Sequence, residues 1–104
     1  MQVLVLLRIL PTTTPAKMGP LIKPEAERVW AMHLTGALRS IHFLQVPGAA
    51  FPTGVSLLME AESTEEVAAM IDTLPLVAQG LVSTEILPLA PFTSYAALFA
   101  HAPR

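Results

Sequence analysis

Four short segments of the chain are dominated by apolar residues, and each has the composition of a β-strand. They are residues 3–9 (VLVLLRI), 38–46 (LRSIHFLQV), 54–61 (GVSLLMEA) and 81–89 (LVSTEILPL). Short runs rich in β-branched residues and leucine, bounded by glycine or proline, are typical of strands. Pro88 near the end of the last segment fits an edge strand or a strand terminus, because proline has no amide to donate.

Two further segments carry apolar residues at helical spacing. The first begins near Pro24, ends near Gly36, and places Ala26, Val29, Trp30, His33 and Ala37 on one stripe, which we expect to face inward. The second begins with a capping box from Ser63 to Glu66 and continues with Val67, Met70, Ile71 and Leu74. Pro75 should end it, so that residues 76–80 form a turn-like connector.

These elements follow the order β-α-β-β-α-β. Right-handed crossovers then place two helices on one face of a four-stranded antiparallel sheet, which is the α+β ferredoxin-like arrangement. Both faces carry apolar side chains: Val3, Val5 and Leu7 alternate with Leu4 and Leu6 in the first strand. Because a bare apolar face is unusual in a monomer, we predict a homodimer or larger homo-oligomer whose sheets form a shared α+β barrel.

The connecting and terminal segments give two more predictions. Residues 11–20 form a proline-rich loop that is long enough to act as a lid or binding loop. We treat residues 1–104 as one domain with a C-terminal arm at 93–104. In that arm Thr93 or Ser94 caps a short helix, and its apolar edge of Tyr95, Leu98 and Phe99 docks on the body or on a neighbouring subunit.

Composition excludes several classes of function. The chain of 104 residues is 53% hydrophobic and only 13% charged, with a net charge of −2 and no cysteine. Nucleic acid is a poor partner for such a surface, and disulfides, thiolate catalysis and zinc–thiolate sites are excluded. We find no signal peptide and no apolar run of the roughly 20 residues that span a bilayer, and so predict a cytoplasmic protein without membrane contact.

A resemblance to a known family adds to this. GALRSIHF (36–43), the amphipathic helix after it and LPLVAQGLVSTEILPL (74–89) resemble the muconolactone isomerase-like branch of the dimeric α+β barrel proteins. The resemblance covers residues 26–91, and its clearest points are the LPL at 74–76 and the Gly36-x-x-Arg39 step. It implies a cofactor-independent isomerase or cyclase that moves a proton on a small lactone, aromatic or polyketide-like substrate. The first loop and the tail depart from the pattern, which leaves the substrate open.

Polar side chains on the apolar elements are the candidates for chemistry. Histidine is the usual acid–base side chain at neutral pH, so His33 and His42 are the candidate acid–base groups. Trp30 could stack on a planar ligand, and Arg39 could bind a carboxylate or enolate oxygen in a two-pronged geometry. Glu85 is the candidate carboxylate. The histidines and charged residues each have a structural alternative. A histidine can be buried and hydrogen-bonded to the backbone. Arg39 can reach solvent or pair with Glu85 or Glu60, and Glu85 can simply form an ion pair. Arg39 and His42 have opposite parity and share a cavity only if a bulge intervenes.

Two classes of function remain open. One is the isomerase or cyclase, with a cofactor-free monooxygenase as an adjacent possibility. The other is a non-catalytic ligand-binding or oligomerisation module. The three histidines have no metal-ligand spacing and no glycine-rich phosphate loop is present, so we expect neither a metal nor a cofactor. A cavity reached by His33 would favour the enzyme, and a packed interior would favour the module.

Overall fold

The computed structural model describes residues 1–100 of the chain, and its strands and long helices alternate in the predicted order. The elements are β1 (Gln2–Ile9), α1 (Pro15–Met18), a 3₁₀ turn (Gly19–Leu21), α2 (Ile22–Leu34), β2 (Leu38–Leu44), β3 (Gly54–Glu60), α3 (Thr64–Ile71), α4 (Pro75–Ala78), β4 (Val82–Pro88) and a 3₁₀ helix (Thr93–Phe99). The last four residues of the predicted arm lie outside the described part.

The four strands form one antiparallel sheet in the order β2-β3-β1-β4. Its two central strands, β1 and β3, pair along their whole length from Gln2 opposite Glu60 to Arg8 opposite Gly54. This order is that of the ferredoxin-like fold, so the predicted fold class is confirmed. As Pro88 suggested, β4 is an edge strand and ends at that proline.

The helices cover the two central strands on one face of the sheet. Val5 of β1 and Leu57 of β3 are opposite one another on this face, and both are inaccessible to solvent. Met32 of α2 and Ile71 of α3 pack against them in a single apolar cluster. No polar or charged side chain is buried among residues 1–100. The hydrophobic effect is therefore the main force that holds the helices on this face.

The opposite face carries no helix and mixes apolar with polar side chains. One row across the four strands consists of His42, Ser56, Leu6 and Glu85, as the strand pairing shows. The neighbouring row is Ser40, Leu58, Leu4 and Leu87. The leucines of both rows remain partly exposed in the single chain. We call this surface the open face.

The ends of the helices agree with the sequence in part. The Ser63 hydroxyl accepts a hydrogen bond from the Glu66 amide at 3.1 Å, as the capping box predicts. The Glu66 carboxylate accepts from the Glu62 amide rather than from that of Ser63. Gly36 follows α2 with φ of +83°, a conformation that glycine adopts without strain.

Three boundaries differ from the predictions, and at two of them a proline begins a helix where a loop or a turn was expected. Residues 15–18 of the expected loop form α1, with Pro15 in its first turn. The first long helix begins at Ile22, ahead of Pro24. Pro75 begins α4, so residues 75–78 are helical rather than turn-like. Proline at the first helical position loses no hydrogen bond, because that amide has no partner within the helix.

The C-terminal arm begins its 3₁₀ helix at Thr93, but neither Thr93 nor Ser94 caps it. The ring of Phe92 meets that of Tyr95 edge to face, with 4.8 Å between centroids. No residue of this helix is buried, so the predicted docking on the body of the same chain is wrong for the described residues.

Candidate functional site

An apolar groove runs between α2 and the edge strand β2. It encloses about 320 Å³. Its walls are Ala26, Val29, Trp30 and His33 from the helix, and Leu38, Arg39, Ser40 and Ile41 from the strand. Ligand sites in proteins range from about 300 to 1,000 Å³, so this groove matches a ligand of one small ring. We refer to it as the α2–β2 groove.

Trp30 and His33 form the outer rim of this groove. Their rings lie 5.3 Å apart between centroids and are tilted by 31°. Trp30 is 60% exposed and His33 is exposed as well. The expected inward stripe is therefore wrong for Trp30 and His33, although Val29 and Ala37 do pack against the core; the only fully buried residue of α2 is Met32. Successive residues are rotated by about 100° around a helix axis. Trp30 and His33 each come one residue after a packed residue, Val29 and Met32 respectively, so they lie on the flank of the helix.

Arg39 occupies a bulge at the start of β2. Leu38 pairs with Met59 and Ser40 with Leu58, which leaves Arg39 as the extra residue of the edge strand. Bulges re-aim side chains and are frequent beside functional sites. Arg39 is exposed and forms no ion pair within residues 1–100. The guanidinium is therefore free to meet an anionic group at the mouth of the groove.

His42 and Glu85 lie on the other side of the sheet. His42 pairs with Ser56 and Glu85 with Leu6, which places both on the open face. The bulge precedes Ser40, so it does not bring His42 round to the groove. Within one chain, three of the five predicted residues come together in the groove, namely Trp30, His33 and Arg39. The two histidines cannot act on one ligand there.

Glu85 adopts the structural alternative. Its carboxylate accepts a hydrogen bond from the guanidinium of Arg8 at 2.9 Å, and both side chains are about half exposed. The arginine partner is Arg8, the cross-strand diagonal neighbour, and not Arg39. Glu60 likewise has a different partner, because the amino group of Met1 lies 3.5 Å from its carboxylate.

The pattern of the sequence did not reveal one half-buried carboxylate. Glu25 extends from α2 towards α4 and accepts a hydrogen bond from the Leu76 amide at 3.0 Å. Burial raises the pKa of Glu25 above its ordinary value, and the hydrogen bond from Leu76 lowers it by less. In the sequence, Glu25 is recognisable only as a favourable negative charge near the start of the helix. Its partner lies four elements further along the chain, so no local signal could have identified the contact.

A second cleft of about 420 Å³ lies between the first loop and the segment after α4. Lys17, Pro20, Leu21, Gln79 and Leu81 line it. The hydroxyl of Thr13 donates to the carbonyl of Leu81 at 2.6 Å and fixes the loop beside this cleft. The loop therefore borders a cleft, but not the one that contains His33.

The structure also bears on metal binding and on membrane crossing. Over the described range, residues 1–100, no three histidine or acidic side chains are close enough together to hold a metal ion. In the same range, no helix is both long enough and apolar enough to cross a membrane.

The fold places the chain among the ferredoxin-like α+β proteins, and two solved structures share it. Muconolactone isomerase superposes with a TM-score of 0.67 at 23% identity, over 90% of this chain and 93% of the isomerase. The 5-chloro-2-hydroxyhydroquinone dehydrochlorinase TftG from Burkholderia phenoliruptrix AC1100 gives a TM-score of 0.65 at 22% identity, over 86% of this chain and 94% of that enzyme. The TftG structure is a complex with 2,5-dihydroxybenzoquinone.

These identities establish likeness of fold. No family model matches the chain, and no curated protein is significantly similar to it. The resemblance to muconolactone isomerase that the sequence indicated is thus confirmed at the level of the fold, over most of the chain.

Proposed function

We propose that this protein is a cofactor-independent isomerase or cyclase that moves a proton on a small oxygenated ring bound in the α2–β2 groove. One observation carries the proposal: the groove unites an imidazole, a guanidinium and an indole in a lining whose other residues are apolar except for Ser40. Two proteins with the same fold are named for reactions on small molecules, an isomerisation and a dehydrochlorination.

The three side chains suit distinct parts of such a reaction. A carbon acid needs a base within hydrogen-bond reach and a positive group near the oxygen where charge develops. His33 supplies the base, since a neutral imidazole accepts a proton near pH 7. Arg39 supplies the positive group, and its planar fork matches a carboxylate or enolate. Trp30 provides a flat surface on which a planar ring stacks.

The assembly is part of the proposal. The open face carries Leu4, Leu6 and Leu58 at its centre, and Leu87 at its edge is 36% exposed. Two open faces packed together remove these leucines from water and form the barrel that the sequence predicts. Arg8 and Glu85 then enter the interface as an ion pair that is already formed. A cytoplasmic homodimer is the simplest form of this protein.

Trp30 offers a direct test of binding because it is the only tryptophan of the chain. Muconolactone and 2,5-dihydroxybenzoquinone are the first ligands to titrate, with tryptophan emission as the signal. Saturable quenching that Arg39→Lys weakens, and that Glu65→Gln on α3 leaves unchanged, would support the groove as the site. Quenching that is linear in ligand concentration, or unaffected by Arg39→Lys, would contradict it. Turnover of muconolactone by wild type but not by His33→Gln would establish the reaction.

A second candidate is the non-catalytic module. The core is apolar, with no buried polar side chain among residues 1–100, and the groove lies on the surface. This is the arrangement expected of a binding or oligomerisation module. Saturable ligand binding with no turnover in a folded dimer would select this candidate.

A further inference from the structure

Two polar groups on the open face have hydrogen-bonding capacity that one chain does not use. The first is the carboxylate of Glu85, which accepts from Arg8 at 2.9 Å and from no second donor among residues 1–100. A carboxylate can accept about four hydrogen bonds. The second is the ring of His42, which is exposed and takes no part in the side-chain hydrogen bonds of the open face within this range. In a single chain, water must satisfy both groups.

The barrel dimer takes both groups out of water. The side chains of Arg8 and Glu85 are 51% and 48% exposed in the single chain, so their hydration is largely lost in the interface. An ion pair in such a place is tolerated only when further hydrogen bonds fill its remaining lone pairs, because otherwise the desolvation penalty exceeds the Coulomb attraction. A ring N–H without an acceptor is unfavourable for the same reason. The dimer is therefore favoured when the partner supplies a donor to Glu85 and an acceptor to His42.

His42 and Glu85 of one chain do not meet each other. They lie at the same level of the sheet, at the two ends of the row formed by His42, Ser56, Leu6 and Glu85. Their strands, β2 and β4, are the opposite edges of the sheet, separated by β3 and β1. Three strand spacings amount to about 14 Å, and side chains that stand perpendicular to a sheet do not span this distance. A contact between these residues is possible only between two copies.

A two-fold axis parallel to the strands produces that contact. Rotation about such an axis reverses the order of the strands across the interface and keeps the level of each row, so β2 of one copy faces β4 of the other. His42 then comes opposite the partner's Glu85, and the contact occurs twice in the dimer. Packed sheets lie about 10 Å apart and cross at about 30°, which shifts facing positions at the edges by about one residue. Histidine and glutamate side chains together are long enough to cover this gap.

We propose that His42 of each copy donates a hydrogen bond to the partner's Glu85, so that a cluster of His42, Glu85 and Arg8 closes each side of the barrel. The inference rests on the dimer proposed above. Imidazole carries one N–H when neutral and two when protonated, so His42 is a donor in either state. Glu85 then accepts from a guanidinium of its own chain and from an imidazole of the partner, and hydrogen bonds to a charged acceptor are the strong ones.

The other rows of the open face agree with this arrangement. The same rotation brings β3 of one copy over β1 of the other, so Leu4 faces the partner's Leu58, and apolar side chains meet. Arg8 faces the partner's Gly54, which has no side chain and leaves room for the arginine. An axis perpendicular to the strands would instead place β2 over β2. His42 would then meet no carboxylate, because β2 contains none.

Exchanging the two side chains tests the contact. His42→Glu alone places a carboxylate against the partner's Glu85 and should leave the protein monomeric at concentrations where wild type is dimeric. His42→Glu together with Glu85→His restores one imidazole and one carboxylate at each site, in exchanged positions, and should restore the dimer. Light scattering over a dilution series measures the dissociation constant, and circular dichroism verifies the fold. A His42→Glu protein that dimerises as wild type does, or a folded exchange variant that stays monomeric, would overturn the inference.

Two milder variants test the hydrogen bond itself. His42→Ala removes the donor and should raise the dissociation constant of the dimer about 10²-fold, because a bond to a charged group is lost at two sites. His42→Gln keeps an N–H donor and should stay within a few-fold of wild type. Ala69→Glu on the exposed side of α3 is the control for added negative charge and should leave the dimer unchanged. Equal dissociation constants for wild type and His42→Ala would also overturn the inference.

The same measurements separate this contact from the proposed function. A wild-type protein that is monomeric at every concentration overturns both the barrel and the contact. A dimer that is indifferent to His42→Ala overturns the contact alone. Ligand quenching of Trp30 reports on the α2–β2 groove, which lies on the helix side of β2. A dimer that His42→Ala weakens therefore supports the contact whether or not a ligand binds in the groove.

Discussion

The two faces of the sheet differ in whether they can accept polar side chains. On the covered face, Val3, Val5 and Leu57 lie against the helices with no exposure to solvent. On the open face, leucines alternate across the strands with His42, Ser56 and the Arg8–Glu85 ion pair. A polar group on the covered face would have no partner, whereas polar groups on the open face reach water or one another.

This difference separates stability from assembly. The covered face stabilises the fold of each chain, because its apolar area is buried within one molecule. The open face gains little in a single chain and gains most when a second surface covers it. Substitutions on adjacent residues of one strand can therefore distinguish the two roles, since side chains alternate between the faces.

Leu57→Ala should have the largest effect on stability. Its side chain is fully buried in the core cluster, and such truncations lower the free energy of unfolding by about 2–5 kcal/mol. Leu58→Ala removes the same atoms from the open face and should cost less, with a loss that grows with protein concentration as the dimer forms. Urea unfolding at several concentrations measures both. Equal losses at high dilution would show that the open face is packed within one chain.

Leu6→Lys should abolish the dimer while the chain stays folded. The residue lies at the centre of the open face, between Ser56 and Glu85, and a lysine there adds a second positive charge beside the Arg8–Glu85 pair, which leaves an excess charge in the proposed interface. Light scattering should fall to the mass of one chain, with the far-ultraviolet circular dichroism retained. Ala69→Lys on the exposed side of α3 is the control and should stay dimeric. Dimerisation of Leu6→Lys would contradict the barrel.

The covered face was largely predictable from sequence because it depends on local patterns. The composition of residues 3–9 identified β1, although both of its faces are apolar, and Ser63 with Glu66 marked the start of α3. The helix at Pro75 was missed because proline is compatible with both an end and a beginning. The buried stripe of α2 was predicted one residue too far along the chain, because Trp30 and His33 have the same helical spacing as the packed residues Val29 and Met32.

The candidate site was predictable in composition but not in geometry. Trp30, His33 and Arg39 were expected from residue type, and they do meet in one groove. His42 and Glu85 lie on the open face because of the strand register. The parity of sequence positions does not settle which face a residue is on, because a bulge can shift the alternation by one residue. The partner of Glu85 required the pairing of β1 with β4, and the contact of Glu25 with Leu76 required the packing of α2 on α4.

His33→Gln extends the same comparison to catalysis. If His33 is the base in the groove, the substitution should lower turnover by about 10²-fold, as is typical of a positioned general base. His42→Gln on the open face should leave turnover nearly unchanged, and Arg39→Lys should mainly raise KM because the two-pronged contact is lost. Steady-state kinetics on a folded dimer of each variant measures these effects. Full activity of His33→Gln would make His33 a surface residue without a catalytic role.

Glu25→Gln should have the smallest effect, and its sign depends on pH. Burial raises the pKa of Glu25 in the folded state above the value of 4.5 expected in the unfolded chain, so the folded state binds the proton more tightly. The stabilisation from this group is complete below pH 4.5 and is lost as pH rises through the raised pKa. Wild type should therefore lose stability relative to Glu25→Gln over that window, because the glutamine stays neutral and its oxygen still accepts from Leu76. Urea midpoints of both proteins from pH 4 to pH 8 measure the difference.

Glu85→Gln on the open face is the matched control: it removes an exposed ion pair worth about 0–1 kcal/mol, and its effect should shrink with added salt. A constant difference between wild type and Glu25→Gln across the window would show that the carboxylate is hydrated in solution and that α4 does not bury it.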